Sequence, residues 1–119
     1  METQQLDPIG YLSDILQKAS QDHRLKPTHL TVYIGLFQQW AQERFLNPFP
    51  IGSRNTMALA KISSRVTYHK CIKELHDLGY IYYCPSYDYY KGTLVYMSGF
   101  GGYPRNNEGN NAGQNRYEG

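Results

Sequence analysis

Residues 62–83, ISSRVTYHKCIKELHDLGYIYY, decide how this chain is read. Ser64 is a helix cap, because its hydroxyl can accept a hydrogen bond from a free N–H of the first turn. After it, Tyr68, Cys71, Ile72, Leu75 and Leu78 recur at spacings of three and four, which puts them on one stripe that must pack inward. Arg65, Val66, His69, Lys70, Lys73, Glu74 and Asp77 stay mainly outside. Gly79 supplies the left-handed residue that ends such a helix, so a helix is predicted over 65–78 with a strand behind it. The order of charges is unusual. Arg65, Lys70 and Lys73 come first and Glu74 and Asp77 last, although a helix N-terminus carries partial positive charge and prefers acids, by about 0.3–1 kcal/mol each. Only Arg65 lies in the first turn, so the local penalty is small. The reversal makes sense if the N-terminal half faces phosphates, where free N–H groups and bases both meet negative charge. The competing reading is a solvated basic face on an ordinary helix.

Upstream, Asp7-Pro8 reads as a cap and a first-turn proline. Ile9, Leu12, Ile15, Leu16 and Ala19 then repeat at helical spacing, which predicts a helix over about 8–23. Arg24-Leu25-Lys26-Pro27 breaks the pattern. Thr28 is expected to cap a second helix, with Leu30, Tyr33, Ile34, Phe37, Trp40 and Ala41 on its buried face; this should be the central helix of the core. Asn47-Pro48 ends it. FPIGS (49–53) is short and extended. Ser53 is expected to cap a brief helix to about Lys61, burying Met57, Ala60 and Ala58, and 62–64 form a tight turn.

Downstream, YIYYCPSY (80–87) and TLVYM (93–97) are rich in strand formers and flank the loop DYYKG (88–92), so the pair reads as a hairpin. Pro85 marks its first strand as an edge or a bend. Beyond Ser98 the chain is glycine- and asparagine-rich with almost no aliphatic residue, a composition that predicts a disordered tail. The expected organisation is an N-terminal helical extension (1–27), a folded domain (28–98) and the tail (99–119).

Helix, helix, extended piece, helix, tight turn, helix and hairpin is the plan of a winged helix-turn-helix. The expected fold is therefore mainly α with a small β-hairpin, in the α+β class, plus an extra N-terminal helix. The segment SRVTYHKCIKELHDLGYI, followed by a strand, a Lys-Gly loop and a strand, resembles the second half of bacterial winged-helix domains of the GntR/MarR-like class. Its turn between helices is shorter than in the GntR type. Together with KPTHLTVYIGLFQQWAQERF, SRNTMALAKISSRVTYHK and PSYDYYKGTLVYM, it resembles small winged-helix proteins carried on bacterial mobile elements, over about residues 26–98. The resemblance implies a DNA-binding regulator, with Arg65, Val66, Thr67, His69 and Lys70 on recognition-helix positions and 88–92 on the wing. On chemical grounds Arg65 suits a guanine edge, and Val66 or Thr67 a thymine methyl. His69, Lys70 and Lys73 suit phosphates, as does Arg54 if one positive face runs through it, with Ser64 at the helix entry. Tyr89, Tyr90 and Lys91 suit backbone or minor-groove contact. The alternative for the tyrosines is cross-strand packing within the hairpin.

The rest of the composition bounds these readings. A chain of 119 residues makes one small domain, and its net charge of +2 says little about partners. The local excess says more: over 53–98, Arg54, Lys61, Arg65, Lys70, Lys73 and Lys91 face Glu74, Asp77 and Asp88. No long apolar run or secretory pattern is present, so no membrane partner and a cytoplasmic location are expected. Cys71 and Cys84 read as buried free thiols. With His69 and His76 they do not suit zinc, since Cys71 and His76 do not share a helix face and no CxxC pair exists. No enzyme constellation and no cofactor motif is found. The partner expected is double-stranded DNA, and the rival is a winged-helix protein-interaction module. The first helix either packs on its own core or on a second copy to make a homodimer.

Overall fold

Among the described residues, 7–85 and 92–99 of a computed structural model, the chain runs α1 (Pro8–Ser20), α2 (Pro27–Gln42), β1 (Phe49–Ile51), α3 (Ser53–Ala60), α4 (Arg65–Asp77), β2 (Ile81–Cys84) and β3 (Thr93–Met97). The expected tail from residue 100, the end of the expected first hairpin strand (86–87) and most of the expected wing (88–91) lie outside the described residues.

Helix α2 is the centre, as its apolar content predicts. It packs against α3, α4 and β1, so one stripe is too narrow to serve it. His29, Val32, Tyr33, Gly35, Leu36, Gln39 and Trp40 are buried, whereas Ile34, expected inside, is 37% exposed. Gly35 sits at a close approach. A Cβ there would stand 3.3 Å from the Thr56 carbonyl oxygen and 3.4 Å from the Ala60 nitrogen, so a larger residue would press the α3 backbone outward by a few tenths of an ångström. The buried Gln39 is satisfied by the Thr56 hydroxyl, which donates to its Oε1 at 2.5 Å.

The start of α2 corrects the expected Thr28 cap. Lys26 is the N-cap and Pro27 opens the helix. His29 reaches back and its Nδ1 accepts the Lys26 backbone N–H at 2.8 Å, the task a glutamate performs in a capping box. Similarly, Gly52 and not Ser53 precedes α3, and Thr56 takes the buried place expected of Ala58, which is exposed. Helix α1 ends at Ser20, before the expected limit, and α2 ends at Gln42, where Arg44 and Phe45 take left-handed conformations ahead of Asn47-Pro48.

Helix α4 follows its sequence closely. Ser64 Oγ accepts the Thr67 N–H at 3.2 Å, and Tyr68, Cys71, Ile72 and Leu75 are buried. At the far end Gly79 has φ 89°, Gly79 N–H donates to His76 O and Tyr80 N–H to Leu75 O. This is a Schellman closure, with Tyr80 and Leu75 both buried beside it.

The hairpin becomes a three-stranded antiparallel sheet in the order β1-β3-β2. The extended FPI segment pairs with β3, Phe49 opposite Val95, and β2 pairs on the other side, Ile81 opposite Met97 and Tyr83 opposite Val95. Phe49, Ile81, Val95 and Met97 point into the core, as the period of two requires. Asn47 secures the approach to β1: its amide accepts the Met97 N–H and donates to the Met97 carbonyl, both at 2.9 Å.

Helix α1 is attached through long side chains. The Tyr11 ring lies 5.1 Å from that of Trp40 and 6.3 Å from that of Phe37, and its hydroxyl donates to Ser98 O at 2.8 Å. Leu12, Ile15 and Ala19 pack on the chain's own core, while Ile9, expected on the same face, is 81% exposed. Past α1, the Arg24 guanidinium holds the Asp22 carboxyl well below the usual carboxylate range. Tyr80 donates to the same carboxylate at 2.9 Å, and burial first, then this acid, pushes the Tyr80 phenol up to about 12. Both cysteines are free thiols, but Cys84 is exposed and not buried as expected. No helix among the described residues is long and apolar enough to cross a membrane.

Candidate nucleic-acid interface

Helices α3 and α4 follow one another across a short turn. Lys61, in a left-handed conformation at φ 63°, closes α3, and a short turn leads to the Ser64 cap. Arg65 leaves the start of α4 and donates through Nη1 to Ser53 Oγ at 3.0 Å. Its guanidinium therefore bridges the two helix entries, next in sequence to the exposed Arg54. Neither helix has an acid in its first turn. Among the described residues, Arg54, Arg65 and Lys70 form no ion pair.

Arg65, Val66, His69 and Lys70 are exposed and Thr67 is half-buried. Val66 stands out at 80% exposure, an apolar side chain held in water on the first turn of α4. Ser64 is spent on capping. Lys73 is exposed and meets Asp77 at 3.3 Å, one helical turn on. The sequence-derived residues 54, 64–67, 69 and 70 thus gather at the entries of α3 and α4, and Lys73 lies further along. Tyr89, Tyr90 and Lys91 fall outside the described residues.

The two acids of α4 are both engaged. Glu74, expected on the outer face, turns toward α2 and accepts from His29 Nε2 at 2.7 Å. Because a backbone N–H can only donate, His29 Nδ1 is the acceptor and Nε2 carries the hydrogen given to Glu74. Sequence reasoning missed His29; the only signal was its place three residues into a helix, where a side chain can cap. Beside this link runs a groove of about 320 Å³ between the start of α2 and α4, and Lys26, Thr28, Val66 and Lys70 line it. Lys26 was not singled out and Thr28 was read only as a helix cap, because their nearness to α4 is tertiary.

At the other end of α4, His76 is half-buried. Its Nδ1 accepts the Tyr83 N–H at 3.0 Å and its ring packs on Tyr82. Burial pulls its pKa below the ordinary histidine value, only partly countered by Asp77. Among the described residues no three His, Cys, Asp or Glu side chains gather as metal ligands would.

No family model, curated protein or solved structure matches the chain.

Proposed function

We propose that this chain is a winged helix-turn-helix protein that binds double-stranded DNA, with α4 as the recognition helix. The observation that carries this reading is the state of the N-terminal half of α4: Arg65 and Lys70 are exposed and form no ion pair among the described residues, while both acids of the helix are engaged by His29 and Lys73. A recognition helix presents its N-terminal residues to base edges. The element order and the β1-β3-β2 sheet support the winged-helix part. In this reading Arg65 and Val66 face bases, and Arg54, His69 and Lys70 face phosphates. A role in regulating transcription, excision or replication of a mobile element rests on the sequence resemblance.

The test is a salt titration of duplex binding with single variants. Lys70→Ala and Arg54→Ala should weaken binding evenly across sequences and lower the salt slope by about one unit each, whereas Arg65→Ala should also relax base preference. Equal binding by all three variants and the parent would remove α4 from the interface and favour the protein-interaction module.

A further inference from the structure

A groove of about 410 Å³ runs between the C-terminal half of α4 and the edge strand β2. Its sides differ in chemistry. Ile72, Tyr83 and Pro85 supply an apolar floor, and His69, Lys73 and His76 line the side formed by α4. These three sit four and three residues apart, spacings that bring side chains together on one helix face.

The His76 hydrogen bond decides what that side offers. Since Nδ1 accepts the Tyr83 N–H, the ring hydrogen sits on Nε2. No acceptor among the described residues meets it. Lys73 gives one hydrogen bond to Asp77 and has two further N–H donors. Among the described residues no carboxylate lines the groove; Asp77, which pairs with Lys73, stands beside it. Its polar side is thus rich in donors, and its volume falls in the range of small-ligand sites, roughly 300–1,000 Å³.

We infer that this groove binds a small organic oxyanion, a carboxylate on a flat apolar body, with the carboxylate on His76 Nε2 and Lys73 and the body over Ile72, Tyr83 and Pro85. A DNA phosphodiester shares the oxyanion chemistry but brings no apolar body for the floor, so the free anion is the better fit. This site does not depend on DNA binding. If α4 does read DNA, an occupant touching both α4 and β2 makes binding responsive to a metabolite.

The experiment is an NMR titration of the isotope-labelled full chain with sodium benzoate, against sodium chloride at equal ionic strength, following the Tyr83 amide and the His76 ring N–H. Benzoate should give saturable shifts that chloride does not. Lys73→Met, a surface change that leaves the core intact, should weaken the affinity about tenfold, the loss of one charge-assisted hydrogen bond. His76→Leu should do the same, and His76→Gln, whose amide can both accept from Tyr83 and donate onward, should restore most of it. Linear shifts identical in the two salts would overturn the proposal. So would saturation by inorganic phosphate alone, displaced by duplex DNA, which would make the groove a backbone contact.

Discussion

The two halves of α4 are built on opposite principles. The C-terminal half is tied down on every side: Glu74 to His29 on α2, His76 to the Tyr83 backbone on β2, Lys73 to Asp77, and the last carbonyls to Gly79 and Tyr80. The N-terminal half has its Ser64 cap and one hydrogen bond from Arg65 to Ser53, and otherwise projects bases and Val66 into solvent. A helix stabilised at one end can keep the other unsatisfied, and an unsatisfied positive helix entry is suited to an anionic partner. The comparison also locates where substitutions act: C-terminal changes should be read in stability and N-terminal changes in binding.

Leu75→Ala should break the anchored half most. Leu75 is fully buried in the core, so truncation should cost about 2–5 kcal/mol in chemical denaturation. Removing the cap by Ser64→Ala should cost about 1 kcal/mol by the same measurement, because the Thr67 N–H loses its acceptor. At the free end, Arg65→Ala should change stability by no more than about 0.5 kcal/mol, since an exposed hydrogen bond to Ser53 is all it gives up. A large loss there would mean that Arg65 is structural and the contrast false.

Acid sharpens the comparison. The folded pKa of His76 is lowered, so as pH falls through the ordinary value of 6.5 the unfolded chain takes up the proton first. Its contribution is fully present above that value and is lost as pH falls toward the folded pKa. Denaturation midpoints should drop over this window, and His76→Gln should flatten the drop. An unchanged profile in the variant would assign the acid sensitivity elsewhere.

Much of this was legible in the sequence where local rules govern. The Ser64 cap, the Tyr68-Cys71-Ile72-Leu75 stripe and the Gly79 stop are each set by neighbours within a turn or two, and all three are found. Long-range pairing was harder to read. The FPI segment carries no alternation long enough to announce a strand, and β1 exists because β3 offers it an edge. On α2 the single-face pattern missed Val32, Gly35, Leu36 and Gln39, since a helix packed by three elements needs small and polar residues where partners approach. The bases of the candidate interface were visible as an order of charges. That Glu74 would be drawn off by His29, 45 residues earlier, was not, because no local pattern encodes that contact.

The most direct test of the central claim is fluorescence-anisotropy titration of the parent protein with random-sequence duplex DNA at two salt concentrations. The account predicts binding at low salt that weakens steeply at high salt, because several phosphates exchange their counterions for Arg54, Arg65 and Lys70. No binding at low salt would contradict it, because the free half of α4 would then have no polyanion to meet.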